Sequence, residues 1–352
     1  MNRLASLDYL RGLAAFGIMV FHYTMWTMGE YGAGDFLGRV GIYGVAVFYI
    51  LSGITLYHVY YECIGSPSKK GLIDFAVKRV ARIFPLLWLM TIATLVLKKE
   101  YYPTETIVLN FTGLFGLYHW GDTICYGAWS IGNELVFYLF FPVFVFLSKK
   151  SALLLSGFSV LLAIIFLWFT FRVMDSTKPL THAGLISYIN PLNQVFLFLG
   201  GYLIGHFTKN IQLPRQLTIP LIIFSVLVFI FYPVTGDVVL LISGFDRVVF
   251  TLASMLLCLA FYKTGARLPG LLHRFFSMLG EVSYSVYLSH PLTAFVISRI
   301  LKSHFANVSL PVLISSCIIC TIVVSYLTYR FFEKPFMSAG KYLAKKITAK
   351  AA

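Results

Sequence analysis

Arg11 and His22 stand eleven positions apart within LRGLAAFGIMVFHY, a stretch otherwise apolar enough to lie in lipid. Eleven residues make about three helical turns, so the two side chains fall near one face, roughly 16 Å apart along the axis. Ionisable groups inside membrane helices are costly, and they mark sites and pathways. A guanidinium suits anion binding at an entrance, and an imidazole deeper in suits proton transfer near neutral pH. Snorkelling to the interface also accounts for Arg11, and a hydrogen bond to a neighbouring helix for His22.

Four further stretches carry chemistry. In KRVARIFP, Arg79 and Arg82 lie three apart on one helical face. Two guanidiniums so placed can hold phosphate bidentately, although positive-inside anchoring also produces such pairs. Pro85, just beyond, is placed to kink the helix and open space beside them. GAWSIGNELVFYLFFP sets Trp129 where interfacial tryptophans sit and Glu134 at a depth that demands a partner, an arginine or a histidine. GEVSYSVYLSHP brings Glu281, Ser283, Tyr284, Tyr287 and His290 onto one segment, and YRFFEKPF carries Glu333, for which Lys334 or a nearby arginine is a ready partner. Cys317 and Cys320 have metal-like spacing, but they sit in an apolar helix with no second ligand pair, so they read as packing residues and no metal site is expected.

The elements that must position these groups are membrane helices. Only 12% of residues are charged and 59% are hydrophobic, against about 25% charged in soluble domains. Apolar segments recur at 10–28, 40–60, 80–97, 126–147, 152–172, 188–207, 217–234, 246–262, 276–300 and 308–331. The expected fold is therefore an all-α, polytopic membrane bundle of about ten transmembrane helices. A weaker stretch, Ile107–Trp120, is too short and polar to span. Gly201 and Gly205 have the small-xxx-small spacing that lets helices approach closely. Of the 28 lysines and arginines, 20 fall on the side of the N-terminus and 8 on the other, which predicts both termini in the cytoplasm. The formal charge of +14 is thus loop charge rather than a nucleic-acid surface. No cleavage signal follows the first apolar run, so that helix is expected to be retained. The loops are short, leaving any chemistry to the bundle: a membrane domain over 1–336 and a short basic cytoplasmic tail over 337–352.

The ordered set LDYLRGLAAFGIMVFHY, GVAVFYILSG, RVARIFP, WSIGNELVFYLFFP, SYSVYLSHP and FEKP resembles the integral-membrane acyltransferase 3 family, which includes bacterial O-antigen and exopolysaccharide O-acetyltransferases. The match runs from about Ser6 to Phe336. It implies a bundle in the bacterial inner membrane that takes an acyl group, usually acetyl, from acyl-CoA to a hydroxyl of a glycan or lipid-linked sugar. By matching motif, His22 is the expected catalytic residue, with Glu134 and Glu333 in less settled roles. Arg11, Arg79 and Arg82 serve the acetyl-CoA donor, and Trp129 is placed with them. Some members carry a hydrolase-like domain after the bundle; this sequence stops about 20 residues past its last predicted span. A proton-coupled transporter is the rival reading, since buried Arg, His and Glu also occur there, though no internal repeat is visible. The acceptor hydroxyl, the acyl length, the choice between direct transfer and an acyl-histidine relay, and the oligomeric state are not legible.

Overall fold

The computed structural model describes residues 4–64, 69–305 and 307–350. Arg3, counted above with the basic residues of the N-terminal side, and the end of the predicted tail, 351–352, lie outside the described residues. Among the described residues the chain folds as helices and connecting loops, without strands. α1 (Ala5–Met28), α2 (Phe36–Ile64) and α3 (Lys69–Lys98) are long, and α4 (Thr104–Thr112) is short. α5 (Trp129–Lys150) and α6 (Ala152–Trp168) follow, the latter prolonged by a π turn, Phe169–Val173. After the short α7 (His182–Tyr188) come α8 (Pro191–Thr208), α9 (Arg215–Phe231) and α10 (Gly244–Thr264). α11 (Gly270–Glu281) and α12 (Ser283–His304) are followed by α13 (Leu310–Thr328), which runs through a second π turn, Tyr329–Glu333, into α14 (Lys334–Lys350).

Every predicted span holds helix, but among the described residues six helical stretches are long and apolar enough to cross a bilayer: α2, α3, α5, α6 with its π turn, α10, and the α13–α14 rod. α9 is apolar but only 17 residues long. α1, α8 and α12 fall short for a different reason: each carries polar residues into the protein interior. Asp8, Asn193, Gln194, Ser285, Ser289 and His290 are all buried on these three helices. A helix shielded from lipid by its neighbours can carry such groups, provided partners satisfy them. The apolar outer helices show the converse, with leucines and phenylalanines of α6, α9 and α13 turned outward.

The bundle closes around α2, which packs against α1, α8 and α10. Its contact with α8 is backbone on backbone. A Cβ on Gly201 would lie 2.0 Å from the Ile50 carbonyl oxygen, and one on Gly53 2.2 Å from that of Phe198. Gly205 meets the Tyr57 side chain in the same seam, so the predicted small-residue contact is present. The weak stretch begins in α4 and does not span; buried Asn110 ties it down by accepting from Ile124 N and donating to the Asp122 and Thr106 carbonyls.

Two segments carry features that the apolar pattern does not show. The predicted span 276–300 is broken at Val282, between α11 and α12. The break lets Gly280 seat directly on α1, where a Cβ would lie 2.2 Å from the Asp8 carbonyl oxygen. Residues 337–350, set apart by their charge, continue a helix that packs along α3, with Gly340 against Ala81.

Candidate active site

At the end of the bundle that holds the N-terminus of α1, helices α1, α2, α3, α5, α11 and α12, with Met337 of α14, line a cavity of about 310 Å³. Its volume is at the lower end of small-molecule sites, about 300–1,000 Å³. Arg11, Arg79, Arg82 and Glu134 all line it. They come from three helices and sit up to 123 positions apart in the chain. Asp8 and Glu281 line it too, so three guanidiniums face three carboxylates.

Each arginine is held differently. Arg11 donates to Thr55 Oγ1, to the Leu51 carbonyl at 3.3 Å, and lies 3.5 Å from Asp8 Oδ1. Arg79 stacks over the rings of Tyr60 and Tyr138, at 5.2 and 5.8 Å, and donates to Tyr60 Oη at 3.1 Å. Its Nε is buried and meets no acceptor among the described residues. Arg82 lies over the Tyr284 ring at 5.7 Å, with Nη1 3.8 Å from Glu333 Oε2 and 3.1 Å from Met337 Sδ.

The carboxylates are fixed as firmly. Glu134 Oε1 accepts from Tyr138 Oη at 2.6 Å and from Ser52 Oγ at 3.0 Å. The partner of Glu134 is thus a pair of hydroxyls, where the sequence suggested an arginine or a histidine. Glu333, 2% exposed, accepts from Ser285 Oγ. The π turn brings it there: one extra residue in the turn rotates the side chains that follow, and such turns gather at functional sites. Glu333 does not line the cavity; it lies behind Arg82, at ion-pair distance from it.

His22 does not line the cavity. The inner wall is formed by Phe48, Ser130 and Tyr287, with the Phe48 and Tyr287 rings 5.9 Å apart. Tyr287 Oη accepts from Ser130 Oγ at 2.8 Å and donates to the Gly127 carbonyl at 3.0 Å. Behind it lies His290, 1% exposed, whose Nε2 is 2.9 Å from His22 Nδ1. Trp26 stacks on His22 at 5.2 Å and Tyr126 meets it edge-on at 5.3 Å. Both rings are 41% or more exposed, so the half-buried imidazole lies against rings that open at the far end of α1. Trp129 is brought to neither place. It packs against Tyr188 at 6.2 Å, while its neighbour Ser130 lines the cavity.

Sequence reading missed Asp8, Ser52, Thr55, Ser130 and Tyr138, common polar residues whose helical context looks unexceptional. Their one signal is register: Ser52 and Thr55 recur at helical spacing, as do Ser130, Glu134 and Tyr138. Among the described residues no cluster of three or more His, Cys, Asp or Glu is arranged to hold a metal.

A helical bundle with six membrane-length apolar helices and an arginine-lined interior cavity defines a multi-pass membrane protein with an internal site. The chain belongs to the membrane acyltransferase 3 family, whose profile, described as an acyltransferase domain, matches residues 4–330. It is similar to the exopolysaccharide production protein ExoZ of Rhizobium meliloti strain 1021, with 23% identity over 88% of this chain and 93% of that one. It is also similar to the O-acetyltransferase OatA of Staphylococcus aureus strain NCTC 8325 / PS 47, with 22% identity over 96% of this chain. The matched region spans 58% of the length of OatA. No solved structure matches the chain.

Proposed function

We propose that the protein is an O-acetyltransferase of the bacterial inner membrane, moving acetyl from cytoplasmic acetyl-CoA to a hydroxyl of a cell-surface glycan or lipid-linked sugar. The observation that carries this reading is the convergence of Arg11, Arg79 and Arg82 on one cavity, with His22 past its inner wall on the same helix as Arg11. Family membership supports acyl transfer over transport. Ten membrane crossings with both termini inside belong to the proposal and rest on the loop charges.

In this reading the three guanidiniums hold the anionic end of the donor at the cavity mouth. The pantetheine arm enters beside Ser52, Thr55 and Glu134 and, as the Phe48–Tyr287 contact opens, carries the thioester past that wall to His22. The acceptor sugar approaches the other face, where Trp26 and Tyr126 offer exposed rings for stacking. His22 takes the proton from the acceptor hydroxyl as its oxygen attacks the thioester carbonyl. The C–S bond breaks, the thiolate takes that proton, and an ester and free CoA result. Glu333 positions Arg82, and Trp129 supports the start of α5.

The test needs no known acceptor. Purified protein in detergent is melted with increasing acetyl-CoA, beside the Arg79→Ala/Arg82→Ala double variant. Ligand at 100 times its Kd stabilises by about 2.7 kcal/mol, so the wild type should melt higher and the variant should not respond. A wild type unmoved by acetyl-CoA and by longer acyl-CoAs overturns the donor site.

A further inference from the structure

We propose that His290 is a positioning residue that fixes the tautomer of His22, so that the two imidazoles act as a dyad; this rests on His22 being the base of the proposed reaction. The device begins with Pro291. A proline lacks an N–H, so the carbonyl four residues back loses its helical donor. That carbonyl belongs to Tyr287, and His290 Nδ1 lies 2.7 Å from its oxygen. A second carbonyl, of Val286, lies 3.2 Å from the same nitrogen. Carbonyl oxygens only accept, so His290 Nδ1 carries the hydrogen.

The rest follows from valence. His290 is 1% exposed, and among the described residues no carboxylate pairs with it, so the neutral ring is favoured. A neutral imidazole protonated at Nδ1 presents a lone pair at Nε2. That Nε2 faces His22 Nδ1 at 2.9 Å, and so His22 Nδ1 is the donor. The lone pair of His22 is left on Nε2, where a proton can be taken. When it is taken, the resulting imidazolium keeps its Nδ1–H aimed at an acceptor that stabilises the positive charge. An aspartate does the same for the histidine of a serine-protease triad. The surroundings hold both rings in place: Tyr23 Oη donates to the His290 carbonyl at 2.9 Å, and Trp26 lies nearly parallel to both imidazoles.

The test combines a spectroscopic and a kinetic readout on the full-length protein. Nitrogen-15 NMR of histidine-labelled protein, assigned by single-histidine substitutions, reports which ring nitrogen of His22 is protonated. The Nδ1–H form is expected in the wild type and in His290→Gln, whose amide oxygen still accepts. In His290→Leu, where the Ile18 carbonyl one turn back is the acceptor left to the ring, the Nε2–H fraction should rise. Labelled acetyl transfer from acetyl-CoA should fall in kcat for His290→Leu by roughly 100-fold or more, the scale of a general-base contribution, with KM for acetyl-CoA unchanged and His290→Gln substantially active. Leu and Gln variants that are equally active, or a wild-type His22 protonated at Nε2, overturn the dyad. Full activity in His22→Ala instead overturns the reading of His22 as base. If the Leu variant does not fold, the wild-type tautomer and the Gln variant still decide.

Discussion

Within the cavity, individual side chains differ in what their loss should do. Arg79 is sandwiched by Tyr60 and Tyr138 and keeps a buried Nε–H unused. Lysine keeps the charge but neither the plane nor the fork. We therefore expect Arg79→Lys to weaken acetyl-CoA binding by about tenfold, the scale of a desolvated cation–π contact, read from the ligand-dependent rise in melting temperature. An Arg79→Lys protein that responds like the wild type would show that charge alone suffices. Glu333 is a matter of stability. Glu333→Ala leaves the buried Ser285 hydroxyl without its acceptor, removes the carboxylate 3.8 Å from Arg82, and should cost about 1–3 kcal/mol. Glu333→Gln can still accept from Ser285 and should melt between the two; equal melting of the Ala and Gln variants would rule out a contribution from that hydrogen bond. Arg11, Arg79, Arg82 and Glu134 were legible because charge is conspicuous in an apolar background. The His22–His290 contact was not, because 268 positions separate the rings. Both histidines stand out in sequence, but nothing local says that they meet. Trp129 shows the opposite difficulty: it stands within a motif that reaches the cavity through its neighbour Ser130.

Helix positions were readable from the apolar runs, whereas the contacts between helices were readable only where glycine announced them. Gly201 was such a case, and its exchange is a clean test. A methyl at Gly201 would lie 2.0 Å from backbone, so α2 and α8 must separate. In α6, a Cβ on Gly157 meets nothing within 4 Å. Gly201→Ala should lower the melting temperature clearly, by an amount on the order of 1–3 kcal/mol, while Gly157→Ala leaves it unchanged or raises it slightly. Similar melting of both variants would contradict the close α2–α8 seam. Two local features escape the linear reading for one physical reason. A hydropathy pattern averages over a segment and is blind to its phase. It therefore passes over the break at Val282 and the π turn at Tyr329–Glu333, which re-aim side chains without changing composition. The same averaging lowers the apparent apolarity of α1 and α12, whose polar residues face inward.

Taken as a whole, the molecule has two ends with different chemistry, joined through α1. Arg11 marks the cavity end, together with Arg82 and with Met337 near the start of α14. His22, with Trp26 and Tyr126, marks the other end, near the exit of α3, where Cys125 lies against Thr94. Acetyl-CoA is made in the cytoplasm, so the proposed reaction works only if the arginine end faces inward. Lysine and arginine counts predict that orientation, but a bundle without lipid carries no direction of its own. Cysteine accessibility supplies it. Cys63 and Cys320, the two native cysteines that are not buried, are replaced by serine. Single cysteines are then placed at Tyr101, 91% exposed just after α3, and at Lys341, exposed on α14. On spheroplasts, a membrane-impermeant maleimide should label Tyr101→Cys directly and Lys341→Cys only after permeabilisation. The reverse pattern would turn the arginines toward a compartment without acetyl-CoA, and a cytoplasmic donor could not reach them.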